Sequence, residues 1–310
     1  MKYAVGLPSN IAGATREDIL AWAPRAEELG FASLVITDRY AWNQLDPLAV
    51  AMAAGAVTDT IGIRFSVLLL PNRGSAGMLA KQLATISVLT EGRLSVGVGV
   101  GDREIDYRLA GSAHRGRHQR LEGMLDEMHA IWSATDHDER SCVGPRPWSG
   151  TLPLLIGGSG QPTWERIARH GHGWTMAVGS ERTFAARAAE VTAEWTRQQR
   201  EGRPFFAVQR YFNVVDEQRS EAEAYLRDYF SFLGPGVDHL LAATPLDADR
   251  VRSVTDSFRA AGVGELAFGT YCRPCHGAAG DGTGTVAKSL PIPPADLTRA
   301  NMERFARDVM

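Results

Sequence analysis

Six consecutive residues, Thr37-Asp38-Arg39-Tyr40-Ala41-Trp42, put an acid, a cation and two aromatic rings within one short stretch. Such a set can orient a small molecule and stabilise charge on it. Arginine keeps its proton near neutral pH, so Arg39 can act as a fixed charge but not as a proton shuttle. The bland reading of the same residues is an Asp38–Arg39 ion pair across a rim, with Tyr40 and Trp42 as packing. A second cluster, Gly157-Gly158-Ser159-Gly160, runs into a helical segment whose early residues include Pro162 and Thr163. Exposed backbone N–H groups at a helix start attract phosphate, and glycine lets a ligand approach them closely. Any tight strand-to-helix turn would use similar residues, so position has to decide between the two.

Both clusters follow segments that read as strands. Ile61–Leu70 is a continuous apolar run closed by Pro71-Asn72, as in a strand covered on both faces. From Ser75, the residues Met78, Leu79, Leu83, Ile86 and Leu89 recur at helical spacing, Glu91-Gly92 stops the helix, and Leu94–Gly101 resumes as a strand. That is one βαβ unit, for which a parallel pair and a right-handed crossover are the default. The alternation continues along the chain. Strands are expected at Lys2–Pro8, Phe31–Asp38, Leu152–Gly157, Gly173–Ala177, Pro204–Val215 and Glu265–Gly269, making eight in all. Helices are expected after the Thr15-Arg16-Glu17-Asp18 capping signal, from Asp46-Pro47, and over His118–Trp132, Pro162–His170, Glu181–Arg200 and Ser220–Gly262. The Arg- and His-rich loop before His118, with His114, is a lid candidate. Trp174 and Met176 read as barrel-lining core.

Composition narrows the class. With 310 residues, 44% hydrophobic content and a net charge of −3, the chain has the profile of a soluble globular protein with no basic surplus for nucleic acid. No apolar run approaches ~18 residues and the N-terminus lacks a signal-peptide pattern, so we expect no membrane association and a cytoplasmic location. Three cysteines exclude a disulfide scaffold and leave Cys142 as an ordinary thiol.

The run Ser66-Val67, Pro71, Lys81-Gln82-Leu83-Ala84-Thr85, Leu89-Thr90-Glu91-Gly92-Arg93 and Gly97-Val98-Gly99-Val100-Gly101 resembles, in order and spacing, the bacterial-luciferase-like family of flavin- and deazaflavin-dependent oxidoreductases. The resemblance implies a (β/α)8 barrel over about residues 1–270, with its chemistry at the C-terminal ends of the strands. It implies FMN or coenzyme F420 as cofactor, a non-prolyl cis peptide at Ser66-Val67 backing the ring, and backbone approach at Gly99, Val100 and Gly101. It also implies the cofactor phosphate on Gly157, Gly158, Ser159 and Gly160. Asp38 and Trp42 match the family's segment after strand 2, where they face cofactor or substrate, but Arg39 stands where deazaflavin-using relatives carry a histidine. His172 stands where relatives carry a structural aspartate. A small-molecule substrate, a flavin reductase or other electron donor, and a homodimer are the implied partners.

Tyr271-Cys272-Arg273-Pro274-Cys275-His276-Gly277 and Leu290-Pro291-Ile292-Pro293-Pro294-Ala295-Asp296-Leu297-Thr298 resemble the haem-attachment segment of class I cytochromes c. There, two thioethers from residues like Cys272 and Cys275 anchor haem c and a residue like His276 supplies the iron ligand. The helices and Met ligand of a whole cytochrome are not evident, with only Met302 and Met310 downstream. We therefore expect residues 271–298 to be an inserted or fused segment that carries no haem c in a cytoplasm, and 299–310 to be the barrel's last helix. Zinc fits this segment less well, because three such ligands do not complete a tetrahedral site. The reading as a whole is a luciferase-like monooxygenase or F420-dependent hydride-transfer enzyme. The alternatives are a flavin-binding barrel without turnover and a flavin–haem electron-transfer protein.

Overall fold

The computed structural model describes residues 1–11, 13–177, 179–214, 219–269 and 302–310. Cys272, Cys275, His276 and the whole cytochrome-like segment lie outside the described residues. Eight parallel strands close in sequence order: β1 (Lys2–Gly6), β2 (Ser33–Ile36), β3 (Gly62–Leu69), β4 (Leu94–Gly99), β5 (Leu154–Gly157), β6 (Gly173–Met176), β7 (Phe205–Tyr211) and β8 (Glu265–Gly269). The first and last pair directly, Lys2 with Glu265 through Val5 with Phe268, so the sheet has no edge. This is the expected (β/α)8 barrel.

Local chemistry sets the outer ring. Thr15 and Asp18 form a reciprocal capping box at α1 (Arg16–Glu28). Asp46 caps α2 (Pro47–Gly55), with proline in its first turn, and Ser75 caps α3 (Ala76–Leu89). The buried stripe of α3 is Leu79, Ala80, Leu83, Ala84, Ile86 and Ser87; Met78 and Leu89, expected on that face, are 58% and 60% exposed. The arginine of the Gly92-Arg93 stop is a hub, donating to the carbonyls of Gly55, Thr58, Ile61 and Thr90 and to the Thr58 hydroxyl.

Beyond β4, the lid candidate folds into α4 (Glu104–Leu109) before α5 (Arg117–Ser133); α6 (Gln161–His170) and α7 (Glu181–Arg197) follow as expected. The single helical region expected over Ser220–Gly262 is instead α8 (Arg219–Tyr229), a 3-10 turn (Ser231–Leu233), α9 (Gly236–Ala243) and α10 (Ala248–Ala260). Gly234-Pro235 and Thr244-Pro245 break it, since proline removes a donor and glycine at φ 54° turns the chain. Residues 302–308 are helical and join α1 and α10, through Arg25 to Glu303 at 3.0 Å and Arg252 to the Asp308 carbonyl at 2.8 Å. Phe305 is fully buried there, 4.3 Å between ring centroids from Phe268. His172 keeps a structural task, its Nδ1 accepting the Leu154 N–H at 3.2 Å, and burial lowers its pKa.

The strand starts enclose a buried ion pair, Arg64 to Glu265 at 2.5 Å, with the Ser33 hydroxyl donating to the other Glu265 oxygen at 3.1 Å. Strands β3 and β8 are separated by β1 and β2, so the pair crosses the barrel interior and ties non-adjacent staves. Burial pushes the Arg64 pKa down against the opposing pull of Glu265. Glu265→Leu should therefore cost about 3–5 kcal/mol by stranding the guanidinium, and adding Arg64→Met should recover most of that loss in urea unfolding.

Candidate functional site

A cavity of about 520 Å³ opens at the C-terminal ends of the strands. Its floor is made by Val67. The Ser66–Val67 peptide is cis, the β3–β4 register shifts between Phe65 and Leu68, and Val67 lines the mouth. The neighbouring strands make room by lacking side chains. A Cβ at Gly99 would stand 2.9 Å from Val67 Cγ2, and one at Gly157 would stand 3.3 Å from Val67 Cγ1. Buried Tyr107 donates its hydroxyl to the Val100 carbonyl and Arg117 donates to the Gly101 carbonyl at 3.2 Å, bracing the end of β4. Burial pushes the Tyr107 pKa up to about 12, so it remains a donor.

On one side the wall is the turn into α6. Gly158 has φ 123° and its carbonyl accepts the indole N–H of Trp174 at 2.9 Å. The core reading of Trp174 and Met176 holds, and Trp174 also positions this turn. The N–H groups of Gly158, Ser159 and Gly160 donate to no protein acceptor among the described residues. Thr163 and Arg166 line the same wall; Arg166 is buried and held by Glu122 at 2.5 Å. Unengaged backbone donors at a helix start beside a guanidinium fit a phosphate. His118, on the first turn of α5, also lines the cavity, its pKa lowered by burial, Arg117 and Arg166.

Across the mouth stand the residues after β2. Asp38 lines the cavity, yet its carboxylate is committed elsewhere, accepting Arg73 Nη2 at 2.6 Å, Arg73 Nε at 3.1 Å and the Leu69 N–H at 2.9 Å. The rim pair is Asp38–Arg73 rather than Asp38–Arg39. Burial lowers the Arg73 pKa, but Asp38 and Asp46 outweigh it and raise the pKa overall. Arg39 is 6% exposed and donates to the Tyr229 carbonyl at 2.6 Å. Its guanidinium carbon lies 4.4 Å from the Trp42 ring centroid and 4.2 Å from that of Tyr229. Trp42 stands behind Arg39, its N–H given to the Asn10 carbonyl at 2.9 Å, and does not line the cavity.

The structure thus brings Asp38, Arg39, Ser66, Val67, Gly99, Val100, Gly101, Gly157, Gly158 and Ser159 to one cavity, whereas Gly160 caps α6 beside it. The sequence reading missed Arg103, Asp106, Arg166, Gln209, Tyr211 and Phe232 in the lining. Arg103 and Asp106 follow a glycine-ended strand, the one local signal that marked them; the others are joined only by the fold.

The model of the luciferase-like monooxygenase family matches residues 1–266, and the chain belongs to that family. An uncharacterised protein of Mycobacterium tuberculosis is 34% identical over 149 residues, 44% of this chain and 51% of that protein. An F420-dependent glucose-6-phosphate dehydrogenase of Nakamurella multipartita is 28% identical over 173 residues, 51% of each. The chain spans about half the length of the curated relatives it matches. Among solved structures, the monooxygenase RslO1 of Streptomyces bottropensis superposes with TM-score 0.78 at 18% identity, covering 100% of this chain and 98% of that one. An F420-dependent secondary alcohol dehydrogenase, bound to an F420-acetone adduct, gives 0.74 at 17%, with the same coverage. The FMN-bound oxygenating constituent of 3,6-diketocamphane monooxygenase from Pseudomonas putida gives 0.72 at 16%, again with that coverage. At these identities the superpositions establish the barrel.

Because Asp38 holds both Arg73 and the end of β3, Asp38→Ala should lower unfolding free energy by about 2–3 kcal/mol, read by urea unfolding. Stability equal to the parent chain would remove the bracing role.

Proposed function

We propose that this protein is an oxidoreductase that binds FMN or F420 in the barrel mouth and acts on a small organic substrate. The observation that carries the proposal is the turn Gly158-Ser159-Gly160, whose N–H groups have no protein acceptor among the described residues and which opens α6 beside Arg166 and Thr163. These residues would hold the cofactor phosphate, and Val67, seated between the side-chain-free positions of Gly99 and Gly157, would support the face of the ring. One structural neighbour is an F420-dependent dehydrogenase bound to an F420 adduct, another a monooxygenase constituent bound to FMN, and one sequence relative is an F420-dependent dehydrogenase, which supports this cofactor class. When bound, such a cofactor supplies hydride chemistry or, as reduced FMN with oxygen, monooxygenation.

The chain's own contribution is position and charge. The glycine turn and Arg166 fix the anionic end, while Val67 fixes which side of the ring meets the protein. Arg39 faces the remaining space as a permanent cation that stabilises negative charge on the substrate without exchanging a proton. Trp42 and Tyr229, edge to face with each other at 5.2 Å between centroids, form a corner against that cation and hold its orientation. Asp38 acts through Arg73 and the Leu69 N–H, holding the strand end that carries Val67.

A fluorescence or absorbance titration with FMN and with F420 tests the reading. At least one should bind, and Gly158→Leu should weaken it tenfold or more, about 1.4 kcal/mol, because a Cβ there meets Thr163 Oγ1 at 3.1 Å and the φ suits glycine. An unchanged titration curve would refute the phosphate placement.

A further inference from the structure

We propose that the mouth contains a carboxylate subsite, built from Arg39 and Arg103 beneath Phe232, which takes a monoanionic group of the substrate. This assignment rests on the reading of the cavity as a catalytic site.

The argument begins with charge balance. Other guanidiniums lining the cavity have acids: Arg103 has Asp106 at 3.1 Å, and Arg166 has Glu122 at 2.5 Å. Arg39 has no carboxylate within ion-pair distance among the described residues, although it is 6% exposed. Its one hydrogen bond uses Nη1, on the Tyr229 carbonyl, and Nε is buried without a partner. Burying a cation with its donors unmet is costly, and aromatic faces offset only part of that cost. Nε is shielded from solvent, so an anion would meet the guanidinium at Nη2, which has no protein acceptor among the described residues, in a charge-assisted hydrogen bond.

Arg103 stands close by. The guanidinium carbons of Arg39 and Arg103 lie 5.2 and 5.4 Å from the Phe232 ring centroid, so one exposed ring spans both cations. Burial, and then the nearness of Arg39, lower the Arg103 pKa. An anion between them would relieve that repulsion. Asp106 already neutralises Arg103, which leaves one uncompensated charge for a ligand to meet. A carboxylate balances it, whereas a dianionic phosphate would leave excess negative charge against Tyr211, Tyr229 and Phe230. Phe232 is 49% exposed on the Ser231–Leu233 turn, where an apolar body attached to the carboxylate can rest against it.

Calorimetric titration with benzoate and hexanoate, against benzamide and hexanamide, tests the subsite on the bare chain and on chain saturated with FMN. Each acid should bind at least tenfold more tightly than its amide in both forms. Arg39→Met should erase that preference, Arg39→Lys should restore part of it, and FMN affinity should stay within twofold of the parent in both variants. Acids that bind no better than amides, or an Arg39→Met chain that keeps the preference, would overturn the proposal. It would also fall if FMN displaced the acids and Arg39→Met weakened FMN itself, because the anion would then be the cofactor's phosphate. If neither FMN nor F420 bound while the acid preference persisted and depended on Arg39, the cofactor reading would fail and the subsite would stand.

Discussion

The packing of Val67 against two positions without side chains is the constraint on which the mouth depends. A Cβ on Gly99 would overlap one of its methyl groups at 2.9 Å, and a Cβ on Gly157 would press on the other at 3.3 Å. Close-packed interiors have no slack to absorb an added carbon at such separations. Two adjoining strands therefore carry glycine where they flank this residue, and the same choice leaves backbone exposed to a ligand. Asp38 then secures the strand end beyond Val67 through the Leu69 N–H, and Arg73 ties Asp38 to Asp46 at the start of α2. The shape of the cavity and the bracing of its rim are one network.

The two ends of the barrel use charge in opposite ways. At the strand starts, Arg64 and Glu265 are matched inside the barrel and join β3 to β8. At the strand ends, Asp38 pairs with Arg73 and Asp106 with Arg103, and Arg39 is left with aromatic faces and a carbonyl. A paired buried charge contributes geometry, while an unpaired one creates demand for a ligand. That contrast, more than the number of charged groups, is what the proposed site at the mouth rests on.

Much of the architecture was legible in the sequence because strands buried on both faces are apolar throughout and helices repeat every three to four residues. Each strand was located, and the glycine clusters at 97–101 and 157–160 marked the ends that line the cavity. Side-chain commitments were not legible. The Asp38–Arg73 pair spans 35 positions, and no local pattern distinguishes it from the adjacent Asp38–Arg39 pair that proximity suggests. Trp42 looked like a substrate contact by spacing, but its indole is drawn back by the Asn10 carbonyl, far from it in sequence. The broken helical region after β7 carried its own warning in Gly234-Pro235 and Thr244-Pro245, which the helical period outweighed in the reading. The exposure of Met78 and Leu89 has a simpler cause: α3 buries the side that includes Leu79, Leu83 and Ile86, and those two residues flank it.

Native mass spectrometry of the chain incubated with FMN and with F420, alongside Gly157→Val and Gly99→Val variants, tests the central claim most directly. The account requires a mass increment of one cofactor per chain for the parent protein. It also requires loss of that increment in both variants, because each added side chain collides with Val67 and closes the space above it. Absence of a cofactor increment in the parent, or its persistence at equal intensity in folded variants, would contradict the account.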